Sequence, residues 1–208
     1  MRLRGVALLC LGIGACGTHP ETVEQRYQHW LDAGHRTQAA AYDTFLRTHG
    51  VDQIVPLHEL LRSGRRWRRC GVDEFVLPPR RDWAGIKPTL ELVADLQAAG
   101  ILQDAAVASA WRSIAFNRCE GGSGASRHLA NNALDFDING GIDVRRLCTY
   151  WRTHGVARKF GLGFYSAQRI HVDTSGFRTW GHDHHRGSSL CTQGASAPNT
   201  LDGRQDPG

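Results

Sequence analysis

The stretch "SRHLANNALDFDI", Ser126 to Ile138, sets a histidine and two aspartates around a pair of asparagines. Its last six residues alternate: Ala133, Asp135 and Asp137 fall on one side of a strand, Leu134, Phe136 and Ile138 on the other. One face of that strand is apolar and the other carries chemistry. His128 and Asp135 are seven positions apart. On a helix that spacing is ~10 Å along the axis, and on one straight strand it exceeds ~20 Å with the side chains on opposite faces. A metal ion holds its ligand atoms about 2 Å from itself. His128 and Asp135 therefore share an ion only if the chain turns back between them. Asn131 and Asn132 supply the reversal, because asparagine is the non-glycine residue that best enters left-handed turn conformations. A zinc site with one open position needs a third ligand. "RIHVDTS", Arg169 to Ser175, is a second alternating strand that offers His171, with Asp173 two residues on along the same face.

Around these two strands the chain reads as helices followed by strands. Glu21 to about Thr48 is helical, with Tyr27, Leu31, Tyr42, Phe45 and Leu46 as apolar contacts and a break near Gly34. A short helix follows Pro56 and is closed by Gly64. "EFVLPPRRDW" is extended by its prolines. "IKPTLELVADLQAAGIL" is a helix, since Ile86, Leu90, Val93 and Leu96 recur at three- and four-residue steps before Gly100. "AAVASAWRS" reads as a buried strand, Asn117 to Ser126 as a glycine- and serine-rich loop, and "GIDVRRLCTYWRTHG" as a helix. This order predicts an α+β fold with a small, mostly antiparallel sheet and helices packed on it.

A chain of 208 residues, 41% hydrophobic, can bury one core. The expected divisions are an export signal over 1–15, an N-terminal helical region over 16–72, a catalytic core over 73–186 and a flexible tail over 187–208. The signal has two arginines and then an apolar run too short to span a membrane stably. "IGAC" resembles the lipobox of bacterial lipoproteins, so mature protein is expected to begin at Cys16 with lipid on its thiol, at a membrane facing the periplasm or cell envelope; the alternative is a plain cleaved signal without the lipid. Of six cysteines, setting aside Cys10 and Cys16 leaves Cys70, Cys119, Cys148 and Cys191. In an oxidising compartment these make two disulfides, with three pairings open. Without a Cys-x-x-Cys pair, a zinc cluster of these cysteines carries little weight.

A net charge of +5 and a pI near 9.1 suit an anionic partner. "SGRRWRRC", Ser63 to Cys70, is the densest basic run, but export argues against nucleic acid, and the run reads as a solvated loop with one buried tryptophan. "HDHHRG", His182 to Gly187, reads as an incidental surface cluster or a substrate rim.

Three separated motifs carry a family resemblance. Ser126-x-His128-x-x-Asn131-x-Ala133-x-Asp135 resembles the Ser-x-His-x-x-Gly-x-Ala-x-Asp motif of the zinc D-Ala-D-Ala carboxypeptidases, which share their fold with the signalling domain of hedgehog. "AWRSIAFN" is similar to the family's strand with an arginine before that motif. "GLGFYSAQRIHVDTSGFRTW" is similar to its closing segment, Gly-x-Gly-x-Tyr followed by His-Val-Asp and a final Trp. The likeness runs from Glu74 to about Gly181. It implies one zinc per chain held by His128, Asp135 and His171, with a water in the fourth position. It implies that Arg112 binds a substrate carboxylate or stabilises an oxyanion, and that Ser126 serves the turn or contacts substrate rather than acting as nucleophile. Asn131 departs from the family's glycine. Where some relatives place a glutamate or histidine as base before the last ligand, this chain has Gln168 and Arg169. Asp173 is then the first choice for the proton-handling base and Asp137 the second. The function implied is an exported, monomeric zinc peptidase acting on peptidoglycan peptides, as a D,D-carboxypeptidase or an endopeptidase. The alternative is a catalytically inactive wall-binding protein of the same fold.

Overall fold

The computed structural model describes residues 20–193. The expected export signal, Cys16 and the tail from 194 onward lie outside the described residues. Five strands, β1 Ala105–Ser109, β2 Ala133–Ile138, β3 Gly161–Ser166, β4 Arg169–Asp173 and β5 Arg178–Trp180, form one sheet in the order β1-β2-β4-β3-β5. Every neighbouring pair is antiparallel except β3 with β5. The fold is the α+β arrangement that the alternation predicts.

Register decides what the sheet presents. Asp135 on β2 lies opposite Ser109 on one side and His171 on the other, and His171 lies opposite Gly163 on β3. Because side chains alternate along each strand, this row, with Asp173 and Tyr165 two positions along, shares one face. The opposite face holds Leu134, Phe136, Leu162, Phe164, Ile170 and Val172, all buried in the core. Each such side chain contributes roughly 1.5–3 kcal/mol when it leaves water. The helix α5, Ile86–Ala98, packs against β2 and buries Ile86, Leu90, Val93 and Leu96 at the predicted three- and four-residue steps.

The helices are α1 Val23–Trp30, α2 Arg36–Thr48, α3 Leu57–Leu60, α4 Trp67–Cys70, α5 Ile86–Ala98, α6 Ile114–Cys119 and α7 Val144–His154. Between α1 and α2 the break falls at Gly34, whose φ of 109° no β-substituted residue adopts without strain. Both helices share the apolar cluster of the sheet through Tyr27, Leu31, Tyr42 and Leu46. Buried Glu74 fastens α1, taking Arg26 Nε at 2.6 Å and Nη2 at 2.8 Å.

Several local expectations are corrected. α3 ends at Leu60, well before Gly64, which instead lies where a side chain would meet the Phe116 ring. Arg80–Gly85 is a 3-10 turn rather than extended chain; Pro79 precedes it and Trp83 Nε1 donates to Pro78 O at 2.9 Å. β1 stops at Ser109, leaving Trp111 and Arg112 in an irregular segment. α6 takes Asn117 to Cys119 out of the expected loop, because the Ser113 hydroxyl caps it by accepting from Phe116 N at 3.2 Å. The basic run ends in the helical turn α4, where Trp67 is half-buried under the Arg68 guanidinium rather than buried in a loop. Gly187 to Gln193, assigned to the tail from composition, is folded: Ser189 and Cys191 are buried, and Thr179 Oγ1 lies 2.6 Å from Ser189 Oγ.

Of the three pairings open to the cysteines, the fold selects Cys70–Cys119 and Cys148–Cys191, with Cα separations of 6.0 and 5.1 Å. The second ties the segment after β5 to α7. Closing a loop of this length restricts the unfolded chain by about 4 kcal/mol. Cys191→Ser is therefore expected to lower the melting temperature by roughly 8 to 16 °C, read by thermal denaturation with and without reductant. An unchanged melt would mean that the bridge does not form.

Candidate metal centre

Three elements converge on one point. The 3-10 turn Arg127–Ala130 carries His128 and ends at Asn131, which is left-handed with φ 51° and ψ 45°. That reversal returns the chain into β2 and brings Asp135 back to His128. The Asn131 side chain locks the turn, its Nδ2 donating to Asp82 O at 3.1 Å and to the Tyr42 hydroxyl at 3.3 Å. β4 places His171 beside Asp135 by register. His128 Nε2, Asp135 Oδ1 and His171 Nδ1 then lie 3.0 to 3.2 Å from one another, and all three residues are buried.

The hydrogen bonds behind the two histidines say what these atoms present. His128 Nδ1 sits 2.6 Å from Ala110 O, a carbonyl that can only accept, so Nδ1 carries the proton and Nε2 a lone pair. His171 Nε2 sits 2.9 Å from Asp173 Oδ2, so Nε2 donates there and Nδ1 faces inward with a lone pair. Two lone pairs and a carboxylate oxygen aimed at one point repel unless a cation lies among them. Tetrahedral donors about 2.0–2.1 Å from a zinc ion stand ~3.3 Å apart, close to the spacing here. The donor set fits a divalent metal, and two imidazoles with one carboxylate suit zinc.

Electrostatics supports the same reading. Burial pushes the His128 imidazole down to about 4, which keeps it neutral and able to ligate. Burial alone would raise Asp135, but His128, Arg112 and the histidine hydrogen bonds hold it well below the usual carboxylate range. Burial opposes charge on His171 too, yet hydrogen bonds with Asp135 and Asp173 raise it. Proton and cation compete for His171, so metal affinity falls as pH falls.

Other expected site residues take definite places. Arg112 is buried, its Nε donating to Ser109 Oγ at 2.8 Å and its Nη2 to Asp135 Oδ2. Ser126 lines the cavity over the metal point with Arg112, His128 and His171, a space of about 360 Å³. Asp173 is not placed as a base. It stands behind His171, fully buried, with Arg178 Nη1 and Nη2 at 3.0 and 2.6 Å and Ser175 N at 2.8 Å completing its contacts. Its part is to orient His171 and fix its tautomer. Asp137 is taken by Arg65, at 3.1 and 3.2 Å from Nε. Gln168 is exposed in the turn between β3 and β4.

A family model described as Peptidase M15 matches residues 58–173. The chain belongs to the peptidase M15 family. No curated protein and no solved structure matches it. The matched span of this M15 peptidase runs from α3 to the end of β4 and includes Arg112, Ser126 and the three donors. It stops before Arg178, Trp180 and the histidine-rich loop.

Three residues of this M15 peptidase's site had no role assigned from sequence. Tyr165 donates its hydroxyl to Asp135 Oδ1 at 3.1 Å. Burial, then the Asp135 carboxylate, pushes its pKa up, so it stays a donor. Trp180 stands 5.1 Å from the His171 ring and forms the cavity wall with Arg178. The signal for both was "GLG": a Cβ on Gly163 would lie 2.4 Å from the Trp180 ring, and one on Gly161 2.5 Å from Arg178 and from Asp173.

Asp173→Asn is expected to weaken zinc affinity about 10- to 100-fold, measured by titration against a competing chelator. Wild-type affinity with lost turnover would restore Asp173 to the role of base.

Proposed function

We propose that this protein is an exported zinc peptidase that cleaves peptidoglycan peptides within the chain. The observation that carries the reading is the convergence of His128 Nε2, Asp135 Oδ1 and His171 Nδ1 at the floor of a cleft. Bound zinc supplies Lewis acidity, polarising the scissile carbonyl and lowering the pKa of an attacking water towards ~7. The chain's own groups do the rest. The Arg112 guanidinium, which lines the cleft, donates to charge that develops on the carbonyl oxygen, while the Tyr165 hydroxyl holds Asp135 in place. Trp180 closes one wall and keeps bulk water from the His171 side.

Two features support the substrate. The cavity of about 360 Å³ and a neighbouring one of about 450 Å³ share Arg112, Gly122, Tyr165 and His184, so there is room on both sides of the donors. That favours a peptide lying across the centre over a C-terminal residue ending in a closed pocket. Arg127 and Arg186 on the first cavity and Arg169 on the second are exposed and make no ion pair among the described residues, whereas Arg65, Arg66 and Arg178 are paired. Unpaired guanidiniums at both ends suit the free carboxylates of a wall peptide. Export is supported by the two disulfides, which belong to an oxidising compartment.

The test is incubation of the zinc-loaded protein with purified peptidoglycan, with and without chelator. Chelator-sensitive release of crosslink fragments is expected. Release of D-alanine alone would make it a carboxypeptidase, and bound zinc with no product would favour the wall-binding alternative.

A further inference from the structure

The loop after β5 reaches back over the cleft. His184 lines both cavities, while His182 and His185 line neither. We infer that His184 is the proton-handling residue of the reaction, an inference that rests on the hydrolytic reading above.

Hydrolysis of an amide needs a group that takes a proton from water and delivers one to the leaving nitrogen. Among the side chains lining the two cavities, few can accept one. His128, His171 and Asp135 are turned to the metal point. Tyr165 stays protonated, and the arginines cannot act as bases. Glu120, at the outer end of the second cavity, is mostly buried, takes Arg66 N at 2.9 Å and pairs with the Arg66 guanidinium. Asp173 and Asp137 are held by Arg178 and Arg65. That leaves His184, which lines both cavities and whose imidazole can take up a proton at one ring nitrogen and give it back.

Its presentation is built rather than incidental. His184 is left-handed at φ 64°, a conformation that few non-glycine residues take and in which histidine is enriched. Its N–H donates to Gly181 O at 2.9 Å, and Gly181 N donates to His185 O at 3.0 Å. Asp183 accepts from His185 N at 2.9 Å and from the Ser188 hydroxyl. The Cys148–Cys191 bridge then anchors the far end to α7.

In this scheme the water oxygen bonds to the carbonyl carbon as one proton passes to a His184 ring nitrogen. The C–N bond then breaks and His184 returns that proton to the departing amine. The other water proton leaves with the new carboxyl group, so the imidazole ends as it began.

The test compares zinc-loaded wild type with H184N, which keeps a residue tolerant of left-handed backbone, and with H182N and H185N. H184N should lose about 10²- to 10⁴-fold in kcat on purified peptidoglycan, keep one zinc per chain and lose the acidic limb of its pH–rate profile. H182N and H185N should stay within about threefold of wild type. Independently of turnover, adding zinc to the metal-free protein should shift the His184 ring resonances in NMR and leave those of His182 and His185 in place, because of the three only His184 lines the cleft over the donors. Wild-type turnover with an unimpaired H184N, or no zinc response at His184, overturns this inference alone. Wild type that holds zinc and releases nothing overturns it together with the proposed function.

Discussion

His171→Ala is expected to strip the protein of its divalent ion and to cut kcat/KM by at least about 10³-fold, while the chain still folds. The loss follows from the cation's share of transition-state charge stabilisation, which is several kcal/mol. His171 is the ligand to remove first because its neighbours survive the change. Asp173 keeps its two bonds to Arg178, and Asp135 keeps Arg112. Asp135→Ala is a poorer probe, because it leaves the buried Arg112 guanidinium without a counter-charge and destabilises the fold by roughly 3–5 kcal/mol. Elemental analysis for zinc and far-ultraviolet circular dichroism read the two halves of the result. A folded H171A variant that still holds one zinc would remove His171 from the site and with it the three-donor centre.

The centre was legible because its parts obey short-range rules. Alternation in "ALDFDI" and "RIHVD" fixes which residues share a face, and Asn131 occupies the left-handed position that its chemistry predicts. Hidden from that reading was everything that depends on which strand lies beside which. A shared face places Asp173 near His171 but does not say on which side of it the carboxylate falls. Arg178 settles that from β5, a strand short enough to escape periodicity. The helix α6 was hidden for another reason: its last three residues merge into a glycine-rich stretch whose composition resembles a loop, and the Ser113 cap that starts it is a single residue. His184 was the least visible, since its place is set by contacts across the loop and by a disulfide spanning 43 residues.

Arg112 joins the legible and the hidden parts, and its conservative replacement separates the two roles that the sequence left open. Its Nε and Nη2 are committed to Ser109 and Asp135, while Nη1 has no partner among the described residues and the side chain borders both cavities. A guanidinium so fixed, at the seam shared by both cavities rather than at either end, suits an oxyanion better than a terminal carboxylate of the proposed substrate. Arg112→Lys keeps a positive charge for Asp135 but gives up the planar fork that aims a second N–H into the cleft. The expected result is a kcat lower by about 10² to 10³, with KM within about threefold of wild type and zinc content unchanged, as for loss of an oxyanion donor. A rise in KM at constant kcat would show instead that Arg112 holds a carboxylate of the bound substrate.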